Sequence, residues 1–157
     1  MLTILLTNYM RSGEKTNLPF KEVVLDGGSI IEILLREVSK IKNAIEEEII
    51  VPVITFLGII EAEYILYRRL GKEIAIQKID NLLNSNFFEV ISIELIRRKV
   101  SLLKSNNPIA VADCATIAVA QEKNIPALFA KKEQKLKDIM QKGNPFGISI
   151  YFIKELE

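Results

Sequence analysis

The sequence predicts an α/β fold in three α/β/α layers, a central and mainly parallel sheet covered by helices on both faces. Two observations carry that expectation. Short runs rich in β-branched and aromatic residues, such as VVL at 23–25, FFEVISI at 87–93 and ISIYFI at 148–153, alternate along the chain with longer segments that are apolar at helical spacing. The composition supplies a core: 49% hydrophobic against 26% charged residues, with only 7 Gly and 5 Pro, describes a compact chain and not a disordered one. At 157 residues one domain is expected, and folding at that size buries roughly 70% of the unfolded surface.

Taken in order, Lys21 to Asp26 reads as a short buried strand and Ser29 to about Lys42 as a helix, with Ser29 as N-cap and Glu32 at capping-box spacing. Ile49 to Val51 is a second strand. A long amphipathic helix runs from Val53 to Leu70 and stops at Gly71, a natural C′ residue, before Glu73 to Asn84 continues helically. Phe87 to Ile93 is a strand, Glu94 to Lys104 a helix, and SNNP at 105–108 a break. Ile109 to Lys123 forms an Ala-rich helix, Pro126 to Phe129 a strand, Glu133 to Lys142 a helix, and Ile148 to Ile153 the last strand. Residues 1–20 stand apart as an N-terminal extension, so the domain is expected to span 21–157, with no repeat or linker inside it.

Several function classes are excluded at once. The longest apolar run, 49–60, contains Pro52, Thr55 and Gly58 and falls short of the roughly 20 residues that span a bilayer. The N-terminus has neither a basic n-region nor a cleavage site, and the single Cys114 permits no internal disulfide, so a cytoplasmic protein is expected. The chain has no histidine, which removes Ser-His and Cys-His nucleophiles, most zinc sites and the usual general base. Catalysis would have to run on carboxylates, lysines, hydroxyls or a metal. A net charge of +1 gives no bulk attraction to nucleic acid, although local patches remain.

The informative residues are acids. Asp26 follows a buried strand and precedes Gly27 and Gly28, which let the backbone turn sharply and leave room for close approach. In an open α/β sheet ligands bind beyond such carboxyl ends, although Asp-Gly-Gly is also an ordinary turn. Asp113 shares a helical face with Thr116, Ile117 and Ala120, where a charge needs a partner, backbone amides or a metal. In EAEYILYRRLG the wheel sets Phe56, Ile60, Tyr67 and Leu70 on the apolar arc, with Glu63 inside it and Glu61 at its margin near Arg68. Periodicity alone therefore favours Glu63, and leaves Glu61 as a surface acid. Glu133 opens a helix after a strand, where a carboxylate is also merely favourable. The runs Arg97 to Lys99 and Lys131, Lys132, Lys135, Lys137 read as solvated faces, the second close enough to the acids to meet phosphates.

Three stretches in this order, LDGGSIIEIL, EAEYILYRRLG and NPIAVADCATIAVAQEKNIPALFAKKEQKL, resemble the PIN-domain family, and more closely its archaeal VapC-type toxins. The likeness runs from about Val23 to about Leu136. It implies a PIN-like α/β/α nuclease whose acids gather at the carboxyl edge of the sheet and hold Mg²⁺ or Mn²⁺. By position Asp26 matches the strand-end Asp, Glu61 the helical Glu before Tyr64 and Arg68, Asp113 the Asp of the ADC stretch, and Glu133 the fourth acid. The resemblance thus chooses Glu61 over Glu63. It also implies an endoribonuclease acting on single-stranded RNA, an antitoxin partner and a homodimer.

Two departures stand out. Gly28 occupies the place where many members carry Ser, and Ser29 comes one later; Ala130, Lys131 and Lys132 precede Glu133 where many have an Asp shortly after a Thr. A catalytically impaired PIN-like module that binds RNA or protein without cutting is therefore the alternative. A receiver-like or flavodoxin-like domain fits the sheet but lacks a second acid beside Asp26 and a phosphate-cradling loop. The carboxylate chemistry is coherent in itself: crowded acids repel, a divalent cation relieves the repulsion, and oxygen ligands without His or Cys favour Mg²⁺ or Mn²⁺.

Overall fold

A computed structural model describes residues 17–36, 39–131 and 133–157. The expected N-terminal extension lies outside the described residues as far as 16; of its last four residues, Phe20 is buried and its ring meets that of Tyr151 at 5.5 Å. Five strands, β1 (Glu22–Leu25), β2 (Val51–Thr55), β3 (Glu89–Ile91), β4 (Ala127–Phe129) and β5 (Ile150–Phe152), form one sheet in the order β3-β2-β1-β4-β5. Every pairing is parallel, so the expected mainly parallel sheet is wholly parallel among the described residues. All carboxyl ends consequently lie along one edge.

The helices are α1 (Gly27–Leu35), α2 (Lys40–Glu46), α3 (Phe56–Leu70), α4 (Lys72–Asn84), α5 (Ile93–Asn106), α6 (Val111–Lys123), α7 (Gln134–Gln141) and α8 (Ile153–Leu156). Strand alternation divides the apolar residues into two cores. Val23, Leu25, Ile54 and Leu128 point to the face packed by α1 to α4, whereas Val24, Val53, Ala127 and Phe129 point to the face packed by α5, α6 and α7. This is the three-layer arrangement. The chain builds outward from β1 to β2 and β3, then returns to place β4 and β5 on the other side of β1. The strand order reverses between β1 and β4, and a crevice opens at such a switch point.

Three boundaries differ from the sequence expectation by more than two residues: the end of the first helix, the end of β2 and the start of α3. The first helix ends at Leu35, because Arg36 is extended (φ −85°, ψ 133°) and Ser39 caps a separate α2 by accepting a hydrogen bond from the Lys42 amide. β2 extends to Thr55 instead of ending at Val51. Pro52 is tolerated there because the ladder to β3 begins only at Val53, so its missing N–H leaves no gap in that ladder. Thr55 then ends the strand and starts α3 by accepting from the Gly58 amide at 3.0 Å. Gly71 does close α3, with φ +84°.

Candidate active site

Asp26 is the first residue beyond β1 and the N-cap of α1. The Ser29 amide donates to its Oδ1 at 2.7 Å and the Ala130 amide, from the residue after β4, donates to the same oxygen at 3.2 Å. One carboxylate oxygen is thus fixed by both sides of the switch point. Ser29 is not the cap that the sequence suggested. It is the third residue of the helix, and its buried hydroxyl turns back to the sheet and donates to the Leu128 carbonyl at 3.0 Å. Glu32 leaves the capping box as well, and pairs with Arg36 at 2.8 Å.

Neither Gly27 nor Gly28 has a positive φ, so the sharp-turn reason expected from the sequence does not apply. Close approach does. A Cβ on Gly27 would stand 2.5 Å from Glu61 Oε1 and 3.0 Å from the Gly58 carbonyl, and one on Gly28 would stand 2.9 Å from the Ala130 Cβ. The absence of side chains at 27 and 58 lets α1 and α3 approach and carries Glu61 beside Asp26.

The same packing overturns the helical wheel. Phe56, Ile60 and Tyr67, taken as the apolar arc, are 47%, 56% and 37% exposed, whereas the buried ridge of α3 is Gly58, Ile59, Ala62 and Leu66. The wheel weighted large apolar residues, and the actual ridge combines two large ones, Ile59 and Leu66, with Gly58 and Ala62, whose small size lets it come close. Glu63 lies away from the other acids and accepts a hydrogen bond from the Tyr67 hydroxyl at 2.6 Å. Arg68 sits over the Tyr64 ring, 5.2 Å from its centroid, and makes no ion pair with Glu61.

Asp113, in the first turn of α6, is buried among Cys114, Thr116 and Ile117. Glu133 is the exposed N-cap residue of α7 and gives no side-chain cap bond. Asp26, Glu61, Asp113 and Glu133 come from four places far apart in the chain, and all four line one concavity at the carboxyl edge, together with Gly28, Ala130 and Lys131. Arg69 lines it too. It is absent from the sequence expectation, although two i+4 steps, through Ile65, carry the helix from Glu61 to Arg69 on one broad side.

The acids disturb one another. Burial, followed by the charges of Glu133, Asp26 and Glu61, raises the Asp113 carboxyl from 3.8 to about 7, against a backbone hydrogen bond at Ala110 that lowers it. Glu61 is raised by burial and then by Asp26 and Glu133. Asp26 is raised chiefly by burial, and the bonds from Ser29 and Ala130 offset only part of this.

The sequence pattern of the PIN domain matches residues 23–139, most of the chain. The chain belongs to the PIN-domain family. No curated protein matches it at a significant level. The match begins within β1 and ends in α7, so it includes every one of the four acids and leaves out β5 and α8. PIN domains are in general nucleases and typically use divalent metal ions.

The groups in this PIN domain that could hold such an ion are carboxylate oxygens, a hard donor set suited to Mg²⁺ or Mn²⁺. Among the described residues no three of them converge into a ready-made ligand cluster. That spacing is compatible with Mg²⁺, which keeps several waters and needs only one or two direct carboxylates. The Ser29 hydroxyl is committed to Leu128, so the departure at Gly28 leaves the site without a serine at that place.

Proposed function

We propose that this PIN domain is a VapC-type toxin of archaeal kind, a Mg²⁺- or Mn²⁺-dependent endoribonuclease that hydrolyses phosphodiester bonds in single-stranded RNA. One observation carries the reading: Asp26, Glu61, Asp113 and Glu133 line a single concavity at the switch point of a wholly parallel sheet, in a chain with no histidine to do the work instead. Asp26, Glu61, Asp113 and Glu133 are the residues that would hold the ion. When bound, the ion supplies an activated water and neutralises charge that develops on the phosphate. The chain itself fixes Asp26 through two backbone amides, holds Asp113 buried, and leaves Glu133 exposed.

On this reading the protein works in the cytoplasm and is silenced by an antitoxin whose segment lies over the acidic cleft. No helix among the described residues is long and apolar enough to cross a membrane. Phe56, Ile60 and Tyr64 form an exposed row at i, i+4 and i+8 on α3, which supports pairing of two copies. The domain is taken as 21–157, preceded by the extension.

The test is cleavage of single-stranded RNA with Mn²⁺ or Mg²⁺. Activity is expected to vanish with EDTA and in Asp26→Asn and Asp113→Asn proteins that fold cooperatively; cleavage that survives in both rejects the assignment. The second reading, a module that binds without cutting, is favoured by the committed Ser29 hydroxyl and by the open spacing of the acids. Calorimetric titration with Mn²⁺ separates the two, because saturable binding lost in Asp113→Asn belongs to the nuclease alone.

A further inference from the structure

We infer that Arg69 is a substrate-binding residue that takes a phosphate flanking the scissile one on single-stranded RNA, an inference that rests on the ribonuclease reading above. Glu61, Ile65 and Arg69 follow at i, i+4 and i+8 on α3, and all three line the concavity that contains Asp26, Asp113 and Glu133. At 1.5 Å rise per residue the backbone of Arg69 stands about 12 Å along the helix from that of Glu61, and a long side chain leaning back toward the N-terminus covers part of that distance, which suits a phosphate flanking the one at the acids.

Its lack of a partner is the telling feature. Five acids line the same hollow, namely Asp26, Glu32, Glu61, Asp113 and Glu133, yet Arg69 forms no ion pair with any described residue. Nearby arginines are occupied: Arg36 binds Glu32 at 2.8 Å and Arg68 covers the Tyr64 ring. An exposed guanidinium at the rim of an acidic hollow, unclaimed by its acids, is available to an incoming anion, and its planar fork matches phosphate oxygens. Arg69 also complements the C-terminal dipole of α3, as Arg68 does in the same last turn. That role would be met equally by a side chain directed away from the hollow.

The experiment compares wild-type, Arg69→Ala and Arg69→Lys full-length proteins on a fluorescent single-stranded RNA oligonucleotide with Mn²⁺, over a range of salt concentrations. Arg69→Ala is expected to raise KM roughly tenfold, the loss of one charge-assisted contact, with kcat within about twofold. Its plot of log affinity against log salt should be shallower by about 0.7, one phosphate on a single strand, with Mn²⁺ binding and Tm unchanged. Arg69→Lys should keep the slope and recover part of KM. A wild-type KM and salt slope in Arg69→Ala overturns the assignment while the nuclease reading stands, as does a defect confined to kcat or to Mn²⁺ binding. If wild type binds the strand without cutting, the nuclease reading falls and the same slope read from Kd decides Arg69. Failure to bind at all overturns both.

Discussion

Asp113 makes the metal-free protein a stability sensor of its own candidate site. The carboxyl is raised from 3.8 to about 7 in the folded chain, and the side chain is only 6% exposed, so solvent screening does not erase the effect. Between those pH values the native protein still holds a proton that the unfolded chain has released. The stability contributed by the protonated form is therefore complete below about pH 4 and is lost as the pH rises to about 7. The whole shift corresponds to about 4 kcal/mol, and the part lost between pH 5 and 7.5 to about 3 kcal/mol, or roughly 6 to 12 °C in Tm for a chain of this length. The raised carboxyls of Asp26 and Glu61 act in the same direction. Thermal melting in EDTA at pH 5 and 7.5 measures this loss. Asp113→Asn keeps the raised Asp26 and Glu61 and should lose measurably less, and should be the more stable protein at pH 7.5. Mn²⁺ should restore the wild type and leave the Asn protein nearly unmoved. Equal pH slopes for the two proteins, or wild-type stability that rises from pH 5 to 7.5, would refute the electrostatic account of the hollow.

Gly27→Ala sets a Cβ against Glu61 and the Gly58 backbone, so it should destabilise by about 1 to 3 kcal/mol in urea despite the better helix propensity of Ala, and weaken Mn²⁺ binding through Glu61. Ser29→Ala removes one of two hydrogen bonds to the Leu128 carbonyl, which keeps the Asp26 amide at 3.0 Å, and should cost about 0.5 to 1.5 kcal/mol, with Mn²⁺ affinity unchanged; a large fall in affinity would mean that the hydroxyl serves the ion after all. Glu61→Gln should lower RNA cleavage at least about a hundredfold, as loss of an electrostatic group at a reacting centre does, while Glu63→Gln should leave the rate near wild type. The reverse order would return the helix to the reading given by its apolar periodicity.

Alternating strands and helices sufficed to anticipate a sheet covered on both faces, because two-sided burial forces strands such as Val23 to Leu25 to be continuously apolar. The local devices were harder to read. One helix was expected where α1 and α2 stand, since IIEILL and the residues after Ser39 both have helical spacing, and only the extended backbone at Arg36 divides them. Strand β2 is expected to stop at Val51 with a helix from Val53, whereas the strand runs on through Pro52, whose position ahead of the β3 ladder makes it harmless, to Thr55. Asp26 and Asp113 were conspicuous from sequence because acids inside apolar surroundings have few physical excuses. Glu61 was not conspicuous. Its place depends on how closely two helices approach, which is set by Gly27 and Gly58 on separate segments, and no period within α3 encodes that distance. Arg69 escaped for a related reason, since its distinction is the lack of a partner among neighbours that only the fold assembles.

The arrangement also explains why the acids are spread over separate elements. Four carboxylates on one flexible loop could relax apart and lose their mutual repulsion, along with any advantage to a cation. Here Asp26 is held by amides from α1 and from the residue after β4, Asp113 is buried in the first turn of α6, and Glu61 is carried by a ridge of α3 packed into the core through Ala62 and Leu66. These three cannot retreat without breaking a helix cap or opening a core contact, and the exposed Glu133 alone is free to turn away. The repulsion is stored by the fold and released only by protonation or by a cation. This links the raised carboxyl of Asp113 to the proposed chemistry: the rigidity that makes the metal-free protein less stable at neutral pH is the same rigidity that would make a divalent ion bind.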